Sequence, residues 1–138
     1  MAYSANQTRI FYKTGGSVFA EIDHLMEIPE LGGTPEKIDV TALTDTVKKY
    51  IPGIKDYGDL VFKFLYDNAG EAANYRVFKG LADSGAAATF KLEYPDKTTH
   101  EFDAIPSVKI DAGVINGALT FSVSMLLQSD VTTGNPVD

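Results

Sequence analysis

Strict alternation of large apolar and polar residues runs through most of this chain, and it constrains the fold more than any other feature. Leu60, Phe62, Phe64 and Tyr66 occupy every second position, as do Phe90, Leu92 and Tyr94. Phe102, Ala104, Val108 and Ile110 share one parity, and so do Leu119, Phe121, Val123 and Met125, with Thr120, Ser122 and Ser124 between them. A period of two puts such residues on one face of a strand. The predicted strands are therefore half-buried and antiparallel. Eight Phe and seven Tyr supply the large side chains for a core. Pro95-Asp96 and Asn116-Gly117 punctuate the runs as turns. Pro106 marks a bulge or an edge, because proline cannot donate to a ladder.

Earlier elements are less regular. Residues 1–17 are polar and read as an arm ending in Thr14-Gly15-Gly16-Ser17. Residues 18–28 read as one strand with Val18, Ala20, Ile22, Met26 and Ile28 inward and Glu21, Asp23 and Glu27 outward. A short strand near 37–42 places Ile38 and Val40 together. One segment, from about 70 to 83, has helical spacing: Ala73, Val77, Phe78 and Leu81 fall on one side, Arg76 and Lys79 on the other. Asp67-Asn68 is its expected cap and Ser84-Gly85 its stop. Residues 129–138 read as a polar tail. With 138 residues the chain makes one domain, mainly β with one flanking helix, as an antiparallel sandwich or small barrel.

Residues 43–58 follow neither period. They hold Pro52-Gly53, three Lys and two Asp, and they read as a long irregular loop. Such loops are uncommon in compact domains and usually serve a function. With so few apolar residues in periodic order, the segment is expected to stay unordered until a partner covers it.

The composition excludes several functions. There is no Cys, so thiol chemistry, disulfides and Cys-type zinc sites are ruled out. The net charge of −7 disfavours tight nucleic-acid binding, which needs Lys and Arg to displace counterions. No apolar run suits a signal peptide or a membrane span. Asn6-Gln7-Thr8 fits the glycosylation pattern by chance. His24 and His100 lack the converging ligands of a metal site. Asp56-Tyr57-Gly58-Asp59 lacks the alternating ligands of a calcium loop. The carboxylate pairs Glu21/Asp23 and Glu101/Asp103 are what a solvated strand face looks like. No nucleophile–base constellation appears, so neither an enzyme nor a cofactor is expected.

The string from 39 to 60 resembles the tail tube proteins of long-tailed bacteriophages. Its residues are Asp39, Thr41, Leu43, Asp45, Tyr50-Ile51-Pro52-Gly53-Ile54, Asp56, Gly58 and Leu60. The similarity continues through the helix, the Tyr94-Pro95-Asp96 turn and the last hairpin. The resemblance implies a non-enzymatic structural subunit, made and assembled in the host cytoplasm and carried in the virion tail. Copies would form rings, six to a ring, that stack into a tube around a tape-measure protein. Tail-tip and tail-terminator proteins would be further partners, and DNA would pass through without specific binding or membrane insertion by this chain. The resemblance also gives the long loop a role in reaching a neighbouring copy, through Lys48, Lys49, Tyr50, Ile51, Pro52, Gly53, Ile54, Lys55, Asp56 and Tyr57. A ring of six would carry 6 × −7, or −42, and an acidic wall does not hold phosphate. Wall positions are expected among Glu21, Asp23, Asp39, Glu101, Asp103, Ser122 and Ser124. An inner tube subunit of a contractile tail or injection system shares this logic. A receptor- or carbohydrate-binding sandwich would instead expose aromatics in a cleft, for which Tyr50 and Tyr57 are available.

Overall fold

A computed structural model of the chain describes residues 4–32, 34–57 and 60–136. Residues 1–3 of the expected arm, Gly33, Gly58 and Asp59, residues 137–138 of the expected tail, and the side chains of Thr34, Lys55 and Asp56 lie outside that description.

The strands are β1 (Arg9–Lys13), β2 (Ala20–Ile22), β3 (Leu25–Glu27), β4 (Thr34–Asp39), β5 (Tyr50–Asp56) and β6 (Leu60–Leu65). Helix α1 (Asn74–Ser84) follows, then β7 (Ala88–Glu93), β8 (Thr99–Ile110), β9 (Thr120–Leu127) and β10 (Thr132–Gly134). All pairings are antiparallel. The main sheet has the order β2-β1-β7-β8-β9-β6-β3, with β10 on β8, while β4 and β5 pair only with each other.

The long strand β8 turns this sheet into two layers. Its first half pairs with β7 and its second with β9, and Ala104 belongs to both ladders, opposite Ala88 and Leu127. The geometry of two phenylalanines shows the curl. Phe62 neighbours Val123, which neighbours Val108, six residues along β8 from Phe102. On a flat sheet six residues span about 20 Å, yet the rings of Phe62 and Phe102 stack at 6.4 Å. The inner face has folded onto itself as an open sandwich. Beyond Ala104 only β9 flanks β8, so the expected edge lies at Pro106.

Helix α1 packs into the fold through Phe78, whose ring lies 5.0 Å from Phe64, 6.1 Å from Phe90 and 6.2 Å from Phe121. Gly85 ends it in the left-handed conformation at φ 67°, donating to Leu81 O and Ala82 O, as the Ser84-Gly85 signal predicts. The start differs from expectation. Ala73 is the N-cap and no side chain caps it. Asp67 instead closes its own turn on the Ala69 N–H at 3.1 Å.

Asn74 fixes the helix start in another way. It is buried, donates from Nδ2 to Asp23 O at 2.9 Å and Leu65 O at 2.7 Å, and accepts from the Asp67 N–H at 3.2 Å. One amide thus ties the helix to the end of β6 and to the turn after β2.

Four expectations need correction. Residues 9–13 are not part of an arm: β1 pairs with β2 and β7, and Ile10 is fully buried. The polar flanks hid a short alternation, Ile10 and Tyr12, that is enough to join the sheet. The expected strand over 18–28 is two strands, broken at His24 with φ 67°. That left-handed residue resets the alternation after it, so Met26 is exposed and Leu25 packs on the core; before it Ile22 is buried, while Val18, ahead of β2, and Ala20, at its start, are exposed. At the ends of β8 and β9, Ile110 and Leu119 are exposed rather than inward, because the sheet no longer covers them. The expected tail contains β10, whose Thr132 faces Glu101.

Candidate functional site

The β4–β5 hairpin stands apart from the sandwich, since neither strand packs appreciably on another element. The long excursion between β4 and β6 is present, but its second half, expected as irregular and unordered, is the strand β5. Backbone pairing that the periodicity did not signal orders it: Asp39 faces Tyr50, Ile38 faces Ile51 and Lys37 faces Pro52.

The register then shifts, because Pro35 faces Lys55. Two residues of β5, Gly53 and Ile54, thus lie opposite Glu36 alone, which is a β-bulge. A side chain at Gly53 would place its Cβ 3.1 Å from the Glu36 carbonyl oxygen. This close backbone approach is the physical reason for glycine beside Pro52.

The connection between the strands is closed by its own polar groups. The Thr41 N–H donates to Asp39 Oδ1 at 2.9 Å, and hydrogen bonding from Thr41 holds the Asp39 carboxyl below the usual carboxylate range. The Lys49 N–H donates to Thr41 Oγ1 at 2.8 Å, and the Val40 N–H to Lys49 O at 3.0 Å. Asp45 accepts the Ala42 N–H at 2.8 Å and pairs with Lys49 Nζ at 3.2 Å. Asx turns of this kind replace a ladder by local side-chain bonds, which is why the segment shows no period. At the hairpin's root the Tyr57 hydroxyl donates to Asp130 at 2.8 Å.

The exposed apolar surface here is large. Ile54 is 89% exposed, Leu43 wholly so, and Val47 mostly so. Ile38, Val40, Tyr50 and Ile51 are about half exposed. Ile38 and Ile51 face each other across the hairpin and so share one face. On the other face the Lys37 ammonium sits 5.5 Å from the Tyr50 ring. Taken together with β4, the projection carries Lys37, Lys48, Lys49 and Lys55 matched in number by Glu36, Asp39, Asp45 and Asp56. A neutral, apolar projection on a chain of charge −7 is suited to docking on a protein surface.

The candidate wall positions are not brought together. Glu21, Glu101 and Asp103 lie on the outer face of the first layer, which the register threads through Phe11, Lys91 and Thr89. That face is mixed in charge. Arg9 pairs with Glu21 at 3.6 Å, the Thr89 hydroxyl donates to Asp103 at 2.6 Å, and Lys91 lies 4.9 Å from the Phe11 ring. Ser122 is on the outer face of the second layer, flanked by Lys63 and Lys109, and Ser124 lies two residues along β9. Asp23 sits between β2 and β3, and Asp39 on the hairpin.

Two features escaped the sequence reading. Asp111, after β8, accepts the Thr120 and Ser122 hydroxyls at 2.8 and 2.9 Å, and these bonds hold its carboxyl below the ordinary range. The turn at Val114 and Ile115 carries another exposed apolar tip. Asn116-Gly117 signalled the turn but not the company it keeps.

Elsewhere, the His100 ring meets the Tyr94 hydroxyl at 3.2 Å, and burial lowers its pKa. Among the described residues no group of three His, Cys, Asp or Glu side chains gathers as a metal site, and no helix is long and apolar enough to cross a membrane.

A sequence profile described as phage tail tube protein matches residues 6–135. No curated protein matches the chain in sequence. Among solved structures, a chain of the anti-feeding prophage baseplate, in a sixfold-symmetrised reconstruction, superposes with a TM-score of 0.76 at 14% identity, covering 98% of this chain and 97% of that one. A chain from the tail of an empty gene transfer agent particle also gives 0.76, at 17% identity over 96% and 99%. A chain of an extracellular contractile injection system, from its sheath/tube terminator in the extended state, gives 0.72 at 9% identity over 97% of each.

Proposed function

This chain belongs to the phage tail tube protein family, and from that premise we propose that it builds a sixfold tube whose rings are joined through the β4–β5 hairpin. It is a structural subunit of a tail tube. The observation that carries the assembly reading is the hairpin itself: seven apolar residues (Ile38, Val40, Leu43, Val47, Tyr50, Ile51 and Ile54) stand in solvent away from the core. Apolar surface grouped in this way marks an interaction site. The partner is another copy, with Ile51 and Ile54 as anchors and Pro52-Gly53 fixing the bend. Sixfold symmetry is taken from tails and baseplates of the same fold.

Open edges at β2 and β3 support lateral pairing within a ring, which removes exposed backbone donors and acceptors. The tube would enclose a tape-measure protein, meet tail-tip and tail-terminator proteins at its ends, and pass DNA without binding it. Of the seven candidate wall positions, Glu21, Glu101 and Asp103 share one face, so that face is the first choice for the lumen. Electron micrographs of concentrated, purified chain test the reading. Hollow rings or tubes are expected, and a strictly monomeric species in intact virions would overturn it. The fold shared with a chain of an extracellular contractile injection system supports a second reading, an inner tube within a sheath. Co-purification with a sheath protein separates the two.

A further inference from the structure

We propose that the tip of the β8–β9 turn, Val114 and Ile115, inserts into a cavity at the far end of β8 in a second copy, as a head-to-tail contact. This inference rests on the tube reading above and adds a second contact independent of the hairpin. The tip is convex: Ile115 is fully exposed, Val114 is mostly exposed, and the Gly117 N–H closes the turn on Val114 O at 3.1 Å. Residues 112–119 contain no charged side chain. Nearby Asp111 is already satisfied by Thr120 and Ser122. Burying this tip desolvates no charge of its own, so the largest part of the usual penalty does not arise on its side of the contact.

The receptor is concave. A cavity of about 390 Å³ is lined by Ala5, Ile28, Tyr94 and Pro95, together with the hydroxyl residues Ser4, Thr8 and Thr98. Its volume falls at the small end of ligand pockets, about 300–1,000 Å³, and suits two aliphatic side chains. The walls are held in place. The Tyr94 hydroxyl meets the His100 ring at 3.2 Å, and the Tyr94 N–H donates to Thr98 O at 2.9 Å. The charged lining residue, Asp96, accepts the Thr98 N–H at 3.0 Å.

Tip and cavity lie at the two ends of one twelve-residue strand, β8. The tip of a subunit therefore does not reach its own cavity, and a second copy is the occupant. Two different patches that complement each other form a heterologous contact, which repeats without closing. Stacked rings need this kind of polarity between their upper and lower faces.

The absence of cysteine makes the test clean. Ile115→Cys is combined with Ala5→Cys or Thr98→Cys in the full chain, and assembled protein is treated with a short bis-maleimide. A ladder of covalent dimers, trimers and longer species is expected from the double variants, and none from any single variant. Dimers from Ile115→Cys alone would mean tip-to-tip contact and overturn the proposal. Tubes without a ladder would overturn it while leaving the tube reading intact. Unsubstituted chain that forms neither rings nor tubes would remove both. Should the double variants fail to assemble, Ile115→Asp decides. Stacking should fall roughly tenfold or more, the loss expected when a buried aliphatic side chain is replaced by a charge, while rings persist. Tubes of normal length from that variant would refute the contact.

Discussion

Replacing Ile51 and Ile54 by Asp should separate folding from assembly, and the exposures allow the size to be worked out. Fully burying an isoleucine stabilises by about 1.5–3 kcal/mol. Only surface exposed in the free subunit can be gained on docking. Ile54 is 89% exposed and Ile51 is 48% exposed, so they have about 1.3–2.7 and 0.7–1.4 kcal/mol left to gain. Together these make roughly 2–4 kcal/mol per docked hairpin. At tenfold per 1.4 kcal/mol, the subunit concentration needed for assembly should rise roughly 30- to 700-fold. The carboxylates add a desolvation cost, so the lower figure is a floor.

The free subunit should barely notice. Neither side chain belongs to the core cluster, and surface changes usually stay within about 0.5 kcal/mol. Losing the Ile38–Ile51 cross-strand pair adds roughly 0.2–1 kcal/mol. Pelleting against protein concentration measures the assembly threshold, and thermal melting of dilute protein measures the fold. A double variant that pellets at the unsubstituted threshold, with unchanged tubes in micrographs, would show that the hairpin does not dock through these residues.

Three further outcomes are expected. Asn74→Ala removes three hydrogen bonds, worth about 2–4 kcal/mol together, and should lower Tm by roughly 10 °C. Asn74→Asp should be worse at neutral pH, facing two carbonyl oxygens, and should recover as acid protonates it; a melting curve that ignores either change would place the helix anchor elsewhere. The folded pKa of Asp111 is depressed by Thr120 and Ser122, so its contribution is present above about pH 4, the ordinary Asp value, and disappears as pH falls through the folded value. Asp111→Asn should thus lower the denaturation midpoint at pH 6, with a gap to the parent that narrows below pH 4. A constant gap would sink this assignment. Lys48→Glu should weaken assembly by about 0–1 kcal/mol per contact and only at low ionic strength; equal pelleting at low salt would remove Lys48 from the interface. Lys49 is the poorer probe, because it already pairs with Asp45 within the loop.

The core was legible because period-two alternation needs no tertiary information. Phe62, Phe64, Phe90, Phe102, Phe121 and Val123 are all buried as their parity predicts. The family was legible from the string around Pro52-Gly53, where the close approach of the Glu36 carbonyl calls for glycine at 53. What failed was alternation in short or broken strands. A single left-handed residue, His24, puts Leu25 rather than Met26 on the core; histidine tolerates that conformation better than most residues, but the local sequence does not say that this one adopts it. Strands of three to five residues, such as β1 and β10, are defined by the partners they join rather than by their own composition. Asn74 was invisible because helix position says little about which amide meets two distant carbonyls. The curl of the sheet at Ala104 depends on which strands flank each half of β8, which is a property of topology.

The hairpin shows why its role was easier to read than its structure. A helix or strand is recognised by residues that repay their ordering with burial inside the chain. In the hairpin, Ile54 buries little and Ile38, Val40 and Ile51 only about half of their surface, away from the core, so a period tuned to one core finds no signal. The order comes from paired backbone groups and from Asp39, Thr41 and Asp45 bonding locally. Such order is cheap to build but contributes little stability, because each net hydrogen bond is worth only about 0.5–1.5 kcal/mol. The missing stabilisation has to come from surface supplied by another molecule. Free subunits should therefore show low hydrogen-exchange protection at Ile51 and Ile54 and high protection at Phe62 and Phe121. Protection of the hairpin amides should rise on tube formation; protection already at the level of the core in dilute subunits would mean that the hairpin needs no partner.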